Sequence, residues 1–218
     1  MKRSASLRRF FSMSLVMACS LGSLASCAAR TPQDNGETIV LVRHGEKPPE
    51  RLGQLTCKGL NRALALPSLF IGRFGKPDFL YAPNPSVQVA DGQKQPIYSY
   101  VRPLATLEPT AIRLGMAVNT QLGHQQIAAL QQALLQPAYG HSLIFVAWEH
   151  LMLYEFARQM LQSYGGNPAS LSAWPDDDHE TIYVFHITRS GSGGAPRARL
   201  EIQKEDLGGT LQDTCPGP

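Results

Sequence analysis

Short apolar runs alternate with longer amphipathic segments along most of this chain of 218 residues. The apolar runs predict strands at 38–42, 77–83, 142–148, 181–188 and 197–203. The amphipathic segments predict helices at 56–74, 102–115, 124–136 and 150–166. Strands that alternate with helices indicate a three-layer α/β/α domain with a mostly parallel central sheet, and the last two strands indicate a hairpin-like end.

Proline and polar residues interrupt this pattern at three places. Pro67 is expected to divide or end the first helix, and Pro109 is a candidate break in the second. The polar, turn-rich segment 84–100 predicts a surface excursion over a site at the sheet edge.

The amino terminus has the pattern of a secretory signal. Four cations precede an apolar stretch at 10–25 that is short for a membrane span. The sequence "LASC" at 24–27 is similar to the bacterial lipobox, which implies lipidation of Cys27. We therefore expect a signal at 1–26, a tether at 27–37 and a domain at 38–218, on the periplasmic side of the outer membrane. Ordinary cleavage nearby, giving a soluble periplasmic protein, is the alternative.

Removing the signal changes what the charge implies. The formal net charge of +3 becomes −1 once the four cations of residues 1–26 are subtracted. No basic stripe with interleaved aromatic residues remains, which argues against a nucleic-acid partner. Cys57 and Cys215 would face an oxidising compartment, where they form either a disulfide or two separate thiols.

Cationic and histidine side chains stand at the predicted ends of strands and helices. Arg43 and His44 follow the first strand, Arg102 opens the second helix, and His150 follows the strand at 142–148. The carboxyl ends of parallel strands meet at one edge of a sheet, where ligands bind. Two guanidinium groups hold a phosphoryl group well, and a neutral imidazole attacks phosphorus.

The sequences that carry these residues resemble the histidine phosphatase superfamily, which has the phosphoglycerate mutase-like fold. The matching blocks, in order, are "LVRHGE" at 41–46, "YAPNP" followed by "RPLATLEPTA", and "IFVAWEH" at 144–150. The resemblance implies that His44 is the phosphate-accepting nucleophile and that Arg43 and Arg102 bind phosphate. It also implies that His150 donates to the phosphoryl oxygens in the transition state.

The proton donor to the leaving group is not fixed by this resemblance. Glu149 is the first candidate because it neighbours His150, and Glu46 and Glu108 are competitors. Lys47 is either a charge at the pocket rim or a solvated lysine. The run "WPDDDHE" at 174–180 indicates an acidic loop before a strand rather than a metal site.

The sequence thus predicts a phosphomonoesterase of the cell envelope that uses a phosphohistidine intermediate, acts on a small phosphorylated substrate and needs no metal or other cofactor. A lipoprotein that binds phosphorylated or other anionic ligands without catalysis is the alternative.

Overall fold

The structure is a computed structural model, and it describes residues 36–50, 52–90, 97–190 and 194–217. The predicted signal, Cys27 and most of the predicted tether lie outside the described residues. The strands are β1 (Glu37–Arg43), β2 (Phe79–Tyr81), β3 (Gln88–Ala90), β4 (Ile97–Ser99), β5 (Leu143–Trp148), β6 (Thr181–Arg189) and β7 (Pro196–Lys204). The helices are α1 (Cys57–Phe74), α2 (Arg102–Leu114), α3 (Ile127–Leu134) and α4 (His150–Ser163).

Five strands form the central sheet in the order β2-β5-β1-β6-β7. β1 and β2 both pair with β5 in parallel, whereas β6 and β7 are antiparallel additions at the other side. The predicted sheet and its hairpin-like end are therefore confirmed.

Helices cover both faces of this sheet, and β1 and β5 are therefore buried along their whole length. Side chains that alternate along β1 enter opposite cores, as the period of two in a strand requires. Ile39 and Leu41 pack in the core that contains residues of α3 and α4. Val40 and Val42 pack in the core that contains residues of α1 and α2. The three-layer α/β/α class is confirmed.

Both helices that contain an internal proline run through it, contrary to prediction. α1 continues past Pro67, which is itself buried, and α2 continues past Pro109. The loss of one backbone hydrogen bond at each proline is a local cost. The apolar faces that these helices bury against the sheet outweigh that cost.

The predicted surface excursion contains a two-stranded antiparallel sheet formed by β3 and β4. Within the described ranges, no helix has the length and apolar character needed to cross a membrane.

Candidate active site

The pairing of β1 with β5 brings the two predicted histidines to one edge of the sheet. Arg43 lies opposite Trp148 in the parallel register, and the His44 N–H donates to the Trp148 carbonyl at 3.0 Å. Each histidine therefore follows its strand at the same level. His44, His150, Glu149 and Arg102 all line one cavity of about 430 Å³.

Further side chains complete the wall of this cavity. Val89 and Ala90 of β3 line it, so the excursion at 84–100 reaches the site as predicted. The remaining wall includes Lys47, Tyr100, His124, Leu151, Trp174 and Asp176.

His44 is buried, with 1% of its surface exposed, and its ring is held in one tautomer. Nδ1 lies 2.8 Å from the Gly45 carbonyl oxygen, which only accepts, so Nδ1 carries the hydrogen. Nε2 then holds a free lone pair. Burial, together with the charges of Arg102 and Arg43, holds the pKa of His44 well below its usual range. The ring is neutral near pH 7, as a nitrogen nucleophile must be.

Contacts from two other elements fix the backbone around His44. The Gly45 N–H donates to Thr106 Oγ1 at 2.9 Å, and that hydroxyl donates to the Arg102 carbonyl at 2.8 Å. Thr106 therefore ties the turn after β1 to the first turn of α2. On the other side, His179 Nδ1 donates to the His44 carbonyl at 2.9 Å. Burial and the nearby charge of Arg43 lower the pKa of His179 to about 4.

Glycine is required after His44 for close packing and not for a left-handed turn. Gly45 has no positive φ, but a Cβ on it would lie 2.8 Å from the carbonyl oxygen of Gly59. A Cβ on Gly59 would lie 2.5 Å from the carbonyl oxygen of Glu46. The first turn of α1 therefore packs directly against the loop that carries His44.

Arg43, predicted to bind phosphate, makes its contacts with a loop of the protein itself. Its guanidinium is fully buried, and Nη1 donates to the carbonyls of Pro175, Asp176 and Asp178 at 3.3, 2.6 and 3.1 Å. Nη2 donates to the carboxylate of Asp176 at 3.3 Å. Arg43 is thus in position to shape the cavity wall from behind.

The Asp176 carboxylate lies among the groups that would hold an anion. Its Oδ1 lies 3.3 Å from Arg43 Nη2, 3.3 Å from Lys47 Nζ and 3.6 Å from His150 Nε2. Partial burial raises the pKa of this carboxyl group, but the charges of Lys47, Arg43 and His150 outweigh that effect and hold it below its usual value. The side chain is still 67% exposed.

Glu149 is bound on both of its oxygens. Oε1 lies 2.5 Å from His150 Nδ1, and Oε2 accepts the Met152 N–H at 2.9 Å as the N-cap of α4. Burial raises the pKa of Glu149, but the contacts with His150 and with backbone N–H groups lower the pKa by more. The net pKa of Glu149 therefore lies below its usual value. A carboxylate held in this way orients the His150 ring well, whereas proton donation needs a raised pKa.

The other two candidate acids do not line this cavity. Both oxygens of Glu46 accept from Arg62, at 3.0 and 2.8 Å, and these bonds outweigh burial to lower the pKa of Glu46. Arg62 also pairs with Glu180 and with the fully buried Glu205. Glu108 lines a different cavity on α2.

The wall residues that the sequence does not assign to the site include Asp176, His124 and Tyr100. Asp176 was placed in an acidic loop, and His124 falls at the start of a predicted helix. Tyr100 follows β4, with its ring 5.3 Å from that of His124 and 4.8 Å below the Arg102 guanidinium carbon. In the sequence, the run of three aspartates at 176–178 is the one signal that could have indicated a site residue here. Nothing in that run indicates contact with Arg43.

Cys57 and Cys215 form a disulfide that joins the start of α1 to the carboxyl-terminal tail. Among the residues that the structure describes, no group of three histidine, cysteine or acidic side chains is arranged to hold a metal ion.

No family model and no curated protein matches the sequence, but solved structures share its fold. A mycobacterial glucosyl-3-phosphoglycerate phosphatase superposes with a TM-score of 0.53 at 14% identity, over 76% of this chain and 97% of that one. A protein of Nakamurella multipartitia assigned as phosphohistidine phosphatase SixA gives 0.52 at 15% identity, over 78% and 96%. These neighbours are histidine phosphatase superfamily members, so the phosphoglycerate mutase-like fold is confirmed.

Proposed function

We propose that this protein is a phosphomonoesterase that forms a phosphohistidine on His44. One observation carries the proposal. A buried, neutral imidazole has its Nδ1 bonded to a backbone carbonyl, and it shares a cavity with Arg102 and His150. This arrangement supplies a lone pair on Nε2 beside donors for phosphoryl oxygens. The names of the structural neighbours, which are phosphatases, support the same reaction.

The reaction divides into two displacements at phosphorus. In the first, His44 Nε2 attacks the phosphoryl group in line, the P–O ester bond breaks, and a protein acid protonates the departing alcohol. Arg102 and His150 bind the phosphoryl oxygens as charge develops on them. In the second, water attacks the phosphohistidine, the P–N bond breaks, and inorganic phosphate leaves. Glu149 holds the ring of His150 in place throughout.

A phosphoryl-trapping experiment tests the proposal. The full chain is exposed briefly to 4-nitrophenyl phosphate, quenched in base, where phosphohistidine survives, and analysed by mass spectrometry of its peptides. We expect one phosphoryl group on the peptide that contains His44. The label is absent from His44→Ala and retained in His141→Ala, which changes an exposed histidine outside the cavity. Tight phosphate binding with no label and no turnover would identify a non-catalytic binder instead.

The proposed location is the cell envelope, with a lipid on Cys27 and the catalytic domain in the periplasm. The signal-like residues 1–26 and the lipobox-like "LASC" support this location. The disulfide between Cys57 and Cys215 is typical of an oxidising compartment and supports it too.

Metabolic labelling with palmitate in a bacterial host tests the anchor. We expect label on the wild type and on Cys19→Ser, which changes a cysteine inside the proposed signal, and none on Cys27→Ser. Label on Cys27→Ser would contradict the anchor without affecting the proposed reaction.

A further inference from the structure

The carboxylate of Asp176 bridges three groups that would bind a phosphoryl oxygen. The three donors come from separate places in the chain: Arg43 from the end of β1, Lys47 from the loop that follows and His150 from the first residue of α4. Nη2 of Arg43 has the Asp176 carboxylate as its hydrogen-bond partner. A carboxylate oxygen that accepts from two cationic donors at 3.3 Å and lies 3.6 Å from a ring nitrogen of His150 stands where an oxygen of a bound phosphoryl group would lie.

Asp176 differs from the two aspartates that follow it, because neither of their carboxylates lines the cavity. Asp178 is fixed within its own turn: its carboxylate accepts from the N–H groups of Glu180 and Thr181 and from Lys204 Nζ. Asp177 is exposed and does not line the cavity. Asp176 is bound through Oδ1, and most of its side chain faces solvent. It is therefore a carboxylate that a ligand is able to displace without unfolding the loop.

The backbone of this loop is fixed even though the carboxylate is exposed. Arg43 Nη1 donates to three carbonyls between Pro175 and Asp178, and Trp174 Nε1 donates to the Asp178 carbonyl at 3.0 Å. Displacement therefore needs rotation of the Asp176 side chain alone. The carboxyl group then remains at the open side of the cavity, beside the bound phosphoryl group.

We infer that Asp176 is the catalytic acid and base of the proposed reaction, and that it occupies the phosphoryl site until substrate displaces it. The inference rests on the proposed function. Substrate takes over Arg43, Lys47 and His150, and this gives Arg43 the phosphate contact expected from the sequence. The displaced carboxyl group loses its cationic partners and gains a dianionic neighbour, and both changes favour its protonated form.

The Asp176 carboxyl group accounts for the proton that is transferred in each of the two steps. In the first step the Asp176 carboxyl proton passes to the ester oxygen, so an alcohol leaves while His44 Nε2 becomes bonded to phosphorus. In the second step the Asp176 carboxylate takes a proton from the attacking water, the P–N bond breaks, and the starting carboxyl group and a neutral His44 are restored.

Glu149 is the rival for this role, and geometry separates the two residues. Among the described residues, these are the two carboxylates that line the cavity. Glu149 is bound on one oxygen by His150 and on the other by the backbone of α4, so rotation toward a leaving group would uncap the helix. Within the part of the chain that the structure describes, the Asp176 carboxylate contacts side chains and accepts no backbone hydrogen bond.

The test compares leaving groups in the full chain carrying Asp176→Asn. 4-Nitrophenyl phosphate releases a stable phenolate and needs little protonation, whereas benzyl phosphate releases an alkoxide that requires a proton. We expect the first-turnover release of benzyl alcohol to fall at least about 100-fold. Nitrophenol release in the first turnover changes less than about fivefold, and phosphohistidine then accumulates because no base activates water.

Two control variants and a binding measurement complete the test. Asp177→Asn, in the same loop, leaves both rates unchanged, and Glu149→Gln lowers both rates together because it misplaces His150. Inorganic phosphate protects the Asp176→Asn chain against heat at lower concentrations than it protects the wild type, because the internal competitor is gone.

The outcomes separate this inference from the proposed function. Equal losses with both esters, or no loss with benzyl phosphate, would show that Asp176 is not the acid while leaving the His44 reaction intact. A wild type that forms no phosphohistidine and hydrolyses neither ester would overturn both.

Discussion

Arg43 Nη1 lies 2.6 Å from the carbonyl oxygen of Asp176, although the two residues are 133 positions apart in the chain. This contact joins the end of β1 to the loop that precedes β6. It places the arginine that precedes His44 under the loop that supplies an acidic group to the cavity. The same side chain therefore determines the shape of the site before a ligand arrives and, in our proposal, contacts the ligand afterwards.

Arg43→Lys is expected to loosen the loop around Asp176. An ammonium group at the end of a flexible chain does not reproduce the planar set of donors that three carbonyls and a carboxylate receive. We expect the free energy of unfolding to fall by about 2 kcal/mol, since about two buried hydrogen bonds are lost. Urea denaturation measures this change. Arg113→Lys, at an exposed bond to Ser68, is the control and changes stability by less than about 0.5 kcal/mol.

Gly59→Ala is expected to displace the loop that carries His44. The added Cβ would lie 2.5 Å from the Glu46 carbonyl oxygen and 2.8 Å from the Glu46 nitrogen, and both atoms are backbone. We expect a loss of about 1–3 kcal/mol in stability and a lower rate of phosphohistidine formation. Gly72→Ala in the same helix meets nothing within 4 Å and is expected to be neutral or stabilising. Equal effects of the two substitutions would contradict the close packing.

His44 is expected to stay neutral in the folded chain well below pH 6.5, its ordinary pKa, because burial and the charges of Arg102 and Arg43 oppose its protonation. The unfolded chain binds that proton as pH falls through 6.5, so this group lowers the free energy of unfolding on the acid side. The slope is up to about 1.4 kcal/mol per pH unit. Urea denaturation between pH 5 and 7 checks this, and His44→Gln should show a shallower dependence. Identical slopes would mean that the ring protonates normally in the folded state.

Glu205 is expected to hold a proton in the folded chain at neutral pH. Burial raises its pKa to about 8 from an ordinary 4.5, even though Arg62 lies beside it. The unfolded chain loses this proton near pH 4.5, so the wild type loses stability relative to Glu205→Gln as pH rises from 4.5 to 8. Above pH 8 the difference should become constant. Denaturant unfolding of both chains across pH 5 to 9 measures it, and a difference independent of pH would contradict the buried, protonated carboxyl group.

The sheet edge that carries the candidate active site was predictable because it follows from local pattern and sheet geometry. The run at 39–42 is apolar without a break, which indicates a strand buried on both faces, and Arg43 and His44 end it. The run at 143–148 has the same character and is followed closely by His150. Parallel pairing of two such strands places their ends together, so both histidines meet at one edge.

The surroundings of the candidate acids and the continuation of two helices through their prolines were not predictable in the same way. Pro67 and Pro109 disrupt a helix locally, but the burial that overrides this effect depends on which face meets the sheet. The sequence predicts Glu149 as the first candidate acid and Glu46 and Glu108 as competitors, but it does not show the partners that separate them. Glu149 binds His150, Glu46 binds Arg62, and Glu108 lines another cavity.

The sequence by itself determined the α/β class, the order of the five sheet strands and four α-helices along the chain, and the pair of histidines at the strand ends. These features follow from hydrophobic periodicity and from the adjacent ends of parallel strands. Only the tertiary structure decided that Arg43 holds the loop at 175–178 and that Asp176 reaches Arg43, Lys47 and the ring of His150. The contacts of Arg43 with this loop join segments more than 120 residues apart. The geometry of these contacts depends on how the loops fold over the sheet. A local sequence pattern does not predict contacts between segments so far apart in the chain.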